Sequence, residues 1–88
     1  MAPGHSFRIS EHARAEMARR NIDDSVLWAV ISEPEQIVPV RPGRSIYQSR
    51  IESHTRLLRV VVDEDRQPAI VVTAYRTSNL RKYWQTEP

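Results

Sequence analysis

The spacing of hydrophobic and polar positions changes once along the chain. Up to residue 35 apolar residues recur at helical intervals, and beyond it they alternate or run together as in strands. Phe7-Arg8-Ile9 predicts a short first strand. Ala13, Met17 and Ala18 then make a narrow apolar stripe that ends at Arg20. Ser10 suits the N-cap of this helix, and Glu11 lies near its positive end. Asn21 stops it. Asp23 or Asp24 caps a second helix, whose Val26, Leu27, Val30 and Ile31 form one wide apolar face. Glu33-Pro34 closes it, because the residue before a proline avoids helical backbone. Strands are predicted over 36–40, 45–51, 55–63 and 69–76, separated by turns at Arg41-Pro42-Gly43-Arg44, Glu52-Ser53-His54 and 63–68. Pro39 confines the first of these four to an edge or a bend. The remainder, "TSNLRKYWQTEP", has room for a short helix capped by Ser78.

This order, β-α-α-β-β-β-β, predicts an α+β fold. Two N-terminal helices cover one face of a mostly antiparallel sheet of four to five strands, whose connections are too short for crossovers. One domain is expected over 7–76, with a basic and aromatic tail at 77–88. With 88 residues, 40% hydrophobic and 27% charged, the chain has a globular balance. It has no cysteine, which excludes disulfides and thiolate metal sites. His5, His12 and His54 are scattered without ligand spacing, so no metal or other cofactor is expected. No stretch approaches the ~20 apolar residues of a membrane span. Met-Ala-Pro-Gly-His-Ser lacks the apolar run of a signal peptide, and a cytoplasmic location is expected.

Alternation then sorts the strand residues. Leu58, Val60 and Val62 share one face, and Leu57, Arg59 and Val61 the other. Ile70, Val72 and Ala74 oppose Val71, Thr73 and Tyr75. The all-apolar sets belong under the helices. The mixed sets leave a second face with Arg59, Thr73 and Tyr75, joined by Gln48 and Arg50, which lie opposite Tyr47 and Ile51. Such a surface suits a phosphodiester, because guanidinium stabilises developing charge and a hydroxyl donates to phosphate oxygen. An ordinary solvated sheet face has the same composition. Twelve of the 13 cationic residues are Arg, with Lys82 the exception, and the sequence pI is about 9.5. This supplies forks for a polyanion, although a GC-rich genome explains the bias equally well.

His12 falls in the first turn of its helix. A neutral imidazole there could act as general base on a ribose 2′-hydroxyl, with Glu16 and Arg19 on the same side and Glu16 able to orient the ring. The plain alternative is a surface His four residues before a Glu. Arg76, Arg81, Lys82, Tyr83 and Trp84 interleave cations with aromatics. That pattern suits RNA, or it lets Tyr83 and Trp84 fold back to complete a small core. Trp28 is off the apolar stripe and either marks a partner surface or is incidental.

The segment "HARAEMARRNI", a second helix, "RLLRVVVDED" and "IVVTAY" together resemble a widespread bacterial family of small domains of unknown function. Its pattern is roughly His-Ala-Arg-x-x-Met-x-x-Arg-x-Ile, then a Val-Val strand, then a last strand ending near Thr-x-Tyr. The resemblance covers about residues 7–76. The usual Gly before the Ile is Asn21 here, which also tolerates a left-handed cap. That family is distantly similar to the RelE/ParE and BrnT toxins, compact βααβββ proteins paired with an antitoxin, many of them RNA-cleaving. The resemblance implies a metal-independent endoribonuclease working through 2′-hydroxyl transesterification, with RNA, free or ribosome-associated, and a cognate antitoxin as partners. His12, Arg20 and the Thr73/Tyr75 pair lie on the family pattern. Lys82 and Tyr83 resemble the basic and tyrosine residues of ribosome-dependent relatives. The chain lacks the lysine-rich strand of the RelE type.

The leading expectation is therefore a toxin-type ribonuclease. His12 is its base or acid, Arg59 and Arg20 hold phosphate, and Tyr75 or Tyr83 donates a hydrogen bond. Arg50, Thr73, Arg76 and Lys82 complete the RNA surface. The competing expectation is a non-enzymatic interaction module, a ParE-like target inhibitor or an orphan domain. A nuclease that uses His12 as its base or acid requires His12 and Arg59 to border one hollow, and helices confined to one sheet face point the two residues to different sides.

Overall fold

The computed structural model describes residues 6–86. Its elements are β1 (Phe7–Ile9), α1 (Glu11–Arg20), α2 (Asp24–Ser32), β2 (Gln36–Arg41), β3 (Arg44–Ile51), β4 (Arg56–Asp63), β5 (Ala69–Thr77) and α3 (Leu80–Tyr83). The five strands form one sheet in the order β1-β5-β4-β3-β2. The last four in sequence make an antiparallel meander, and β1 adds parallel to β5 with Arg8 beside Ile70. The α+β class read from the sequence is the one observed.

Local chemistry accounts for the element ends. Ser10 Oγ accepts from the Ala13 N–H at 3.0 Å and so caps α1. Asn21 ends that helix in the left-handed region (φ 55°), where its short polar side chain is tolerated, and Ile22 N–H returns to Met17 O at 2.9 Å. Asp23 is the N-cap of α2, without a side-chain bond to the helix. The turn Pro42-Gly43 joins β2 to β3. Gly43 has φ +85°, a backbone conformation that favours glycine, and a Cβ there would also push aside the exposed Asp65 side chain, whose Oδ2 would lie 2.8 Å away. Pro39 lies on the edge strand β2, where the pairing with β3 loses register between Pro39 and Arg41.

Helices α1 and α2 pack on one sheet face. Ala13, Met17, Ile22, Leu27, Val30 and Ile31 meet Tyr47, Leu58, Val60, Val62, Ala69, Val71 and Ala74 in a single core. The last strand departs from simple alternation. Val61 pairs with Thr73 but Val62 pairs with Val71, which leaves Val72 as an extra residue. This bulge shifts the phase by one. Ala69, Val71 and Ala74 are buried in the core, whereas Ile70 and Val72, predicted to join Ala74 there, are only half-buried. The start of α1 is fastened at the irregularity: Ser10 N donates to Val71 O at 3.1 Å, and Ser10 Oγ to Val72 O at 3.3 Å. Among the described residues no helix is long and apolar enough to cross a membrane.

Candidate functional site

The sheet face away from α1 and α2 carries a row of polar residues in register across its strands, Gln36 (β2), Gln48 (β3), Arg59 (β4) and Tyr75 (β5). Arg59 is 6% exposed. Its Nε donates to Gln48 Oε1 at 2.8 Å, and its Nη1 to the Tyr75 hydroxyl at 2.7 Å. Its guanidinium lies 4.2 Å from the centre of the Tyr83 ring. Two other arginines on this face are neutralised, Arg44 by Asp63 and Arg50 by Glu35. Among the described residues, no carboxylate forms an ion pair with Arg59. Buried charges are ordinarily paired, because leaving water is costly. This one is held only by a neutral amide, a phenol and a ring.

Gln48 is fully buried and organises the row. Its Nε2 donates to Gln36 Oε1 at 2.8 Å and to Tyr83 O at 3.1 Å. Gln48 lies midway along a strand of mixed composition, RSIYQSRI, so the sequence carried no distinct signal for this network. Alternation placed Gln48 beside Arg50 without revealing its partners.

The tail folds back over the row. Asn79, rather than the expected Ser78, caps α3 by accepting from Lys82 N–H at 3.2 Å, because its side chain stands three residues before that donor. Gln36 Nε2 donates to Gln85 O at 2.6 Å, and Gln85 N–H donates to Gln36 Oε1 at 3.0 Å. Trp84 stacks on the Arg50 guanidinium at 4.4 Å, and Lys82 Nζ lies 5.1 Å from the Tyr83 ring. Arg50 grips Glu35 through Nε at 3.1 Å and Nη2 at 2.9 Å, and its backbone N–H adds a third bond at 2.7 Å. These bonds, the side-chain pair first, pull the Glu35 carboxyl from 4.5 to about 2. A shallow depression of about 330 Å³ opens here, lined by Arg50, Leu80, Arg81, Trp84 and Thr86.

Arg50, Arg59, Tyr75, Lys82 and Tyr83 of the expected site are thus neighbours, and Thr73 lies one row further on beside Val61. The others are elsewhere. His12 is exposed on α1, in the layer across the sheet from Arg59. Glu16 does not orient its ring but pairs with Arg19 and with Arg20, the latter at 2.8 Å. Arg20 Nη1 also donates to Ala74 O at 2.8 Å. Arg76 is in register with Leu58 and so faces the helices; it donates to Arg20 O at 2.6 Å and Asn21 O at 3.3 Å. Arg20 and Arg76 fasten α1 to β5, with Arg76 capping the negative end of the helix, and neither is free for phosphate. A larger hollow of about 420 Å³, lined by Asn21, Ile22, Asp23, Val26, Ile51, Glu52, Leu58 and Arg76, lies on the helix side. It contains neither His12 nor Arg59. His54 is in the β3–β4 turn with φ 66°, and His5 lies outside the described residues. No group of three His, Asp or Glu among the described residues could hold a metal ion.

Comparison with curated proteins and with solved structures finds no match. Residues 9–76 match the family described as a domain of unknown function, DUF4258. That span covers most of the chain, from the last residue of β1 to the penultimate residue of β5, and the protein belongs to the DUF4258 family.

Proposed function

We propose that this domain is a toxin-type endoribonuclease of RelE-like kind that holds RNA on the sheet face opposite α1 and α2, with Arg59 at the phosphate. The observation that carries the reading is the buried Arg59 guanidinium without a carboxylate partner, bonded to Tyr75 and Gln48. A cation kept in a low-dielectric setting interacts strongly with an arriving anion. Arg50, Arg81, Lys82 and Tyr83 surround it with the cations and the ring face that single-stranded RNA engages.

The chemistry uses Arg59 and Tyr75 rather than His12. The 2′-oxygen attacks phosphorus, the bond to the 5′-oxygen breaks, and a 2′,3′-cyclic phosphate forms. Arg59 stabilises the charge on the phosphoryl oxygens. Its bond to the Tyr75 oxygen polarises the phenol, which protonates the departing 5′-oxygen and is reprotonated from water. The 2′-hydroxyl proton passes to water. Guanidinium and phenol supply charge and proton between them, so the reaction is expected to proceed in EDTA. A cognate antitoxin and a cytoplasmic setting belong to the same reading.

A second reading is a non-catalytic interaction module of ParE-like kind. It is favoured by the Tyr83 ring over Arg59 and by the position of the imidazole across the sheet. The two separate on labelled RNA, free and ribosome-bound, incubated with the protein in EDTA. The nuclease yields fragments with cyclic phosphate ends, and a 2′-deoxy sugar at the scissile position blocks them. Absence of cleavage on both substrates would leave the binding module.

A further inference from the structure

Tyr83 and Trp84 cover the two arginines in the way that a nucleobase would, each ring against a guanidinium, at 4.2 Å and 4.4 Å. We infer that residues 80–86 form a strap closed over Arg59, and that RNA phosphate reaches this guanidinium only when the strap lifts. The inference rests on the RNA reading above and adds regulation of the same site.

The strap is weakly built. Helix α3 has four residues, none of them buried. So short a helix does not hold itself together in water. Beyond its own turn it is held by the reciprocal Gln36–Gln85 bonds, by Gln48 Nε2 to Tyr83 O, and by the two ring contacts. Exposed Ser78 and Asn79 connect it to β5. A segment with few buried apolar contacts opens at lower free energy than the sheet beneath it.

What the strap gives Arg59, RNA gives better. Phosphate supplies the anion that the Tyr83 ring lacks, and bases stack on arginine planes as the rings do. Lifting the strap also frees Tyr83 to stack on a base, leaves Trp84 in solvent while a base takes its place on Arg50, and carries Arg81 and Lys82 to the backbone. The closed form lowers apparent affinity by the fraction of molecules that are open.

The test uses the full chain with Trp28→Phe, which leaves Trp84 as the one remaining tryptophan of two. The probe is a short oligouridylate with 2′-O-methyl sugars, which cannot be cleaved. Binding is expected to expose Trp84 to acrylamide. Gln85→Pro removes the N–H that Gln36 accepts, and Trp84 before it is already extended (φ −72°, ψ 128°), as a proline requires. This variant, and Gln36→Ala as a second route, are expected to bind about three- to ten-fold tighter as the open fraction grows. If both bind as the parent does and Trp84 stays shielded at saturation, the strap is refuted while the RNA reading stands. If parent and variants alike fail to bind, the RNA reading falls and the strap with it.

Discussion

Arg59 Nη1 donates to the Tyr75 hydroxyl at 2.7 Å across the pairing of β4 with β5. The phenol oxygen accepts this charge-assisted bond and keeps its own proton free to give away. Tyr75→Phe is therefore expected to keep RNA affinity within about two-fold and to slow cleavage by about 10²-fold, a typical general-acid contribution. Arg59→Gln is expected to lose about 10²–10³-fold, as when a charge-stabilising donor is removed. His12→Ala, altered across the sheet, should cleave like the parent. Single-turnover rates on labelled RNA, with circular dichroism to confirm folding, check all three.

An uncompensated buried cation burdens the fold. Replacing Arg59 and Gln48 together by Met and Leu removes the charge and the amide oxygen that it would otherwise orphan. The double variant is expected to be more stable than the parent by about 1 kcal/mol, in the direction seen when buried polar and ionic groups give way to apolar ones of similar volume. It should bind no RNA. Urea unfolding midpoints measure the first effect, and a lower midpoint would mean that the guanidinium contributes to stability.

Arg76→Ala separates scaffold from site. Its guanidinium serves Arg20 O and Asn21 O at the end of α1. Losing these charge-assisted bonds is expected to cost about 1.5–3 kcal/mol. RNA affinity below the unfolding temperature should not change, because Arg76 faces the helices. Thermal melts and filter binding together check the prediction.

Glu35 sets an acid limit. Its folded value of about 2 lies below the ordinary 4.5, chiefly through the side-chain bonds from Arg50. The unfolded chain therefore takes up the proton first as pH falls. The contribution of Glu35 is full above pH 4.5 and is lost on the way down to about 2. Tyr47 gives the opposite case at high pH. Burial, then its bond to Glu64, raises its hydroxyl from 10.0 to about 12, so its contribution is full below 10 and lost as pH rises through 12. Urea midpoints across both ranges should fall at each end, with Glu35→Gln flattening the acid limb and Tyr47→Phe the alkaline one.

Much of the fold was legible because it depends on local pattern. Ser10 caps its helix through its side-chain oxygen, Asn21 ends it by tolerating a left-handed backbone, Pro39 keeps its strand at the edge, and Leu58, Val60 and Val62 declare a buried face by alternation. The bulge at Val72 was not legible. It arises where α1 fastens to β5 through Ser10, a contact spanning 62 positions. Alternation also placed Arg59, Gln48 and Tyr75 on one face correctly, since each lies before or after the bulge in unbroken register. Helices on the apolar face already pointed His12 away from Arg59, and only the packing of α1 could show that its N-terminus does not bring the two together. Arg20 and Arg76 looked available for phosphate in the sequence, but carbonyl groups distant in the chain occupy both.

The most direct test of Arg59 as the phosphate-binding group is a nuclear magnetic resonance titration of the ¹⁵N-labelled protein with the uncleavable oligouridylate. The account predicts that the Arg59 Nε–H signal shifts saturably, together with the backbone signals of Tyr75 and Gln48, while the His12 ring signals stay in place. Saturable shifts centred on His12 and α1, with Arg59 unmoved, would contradict it.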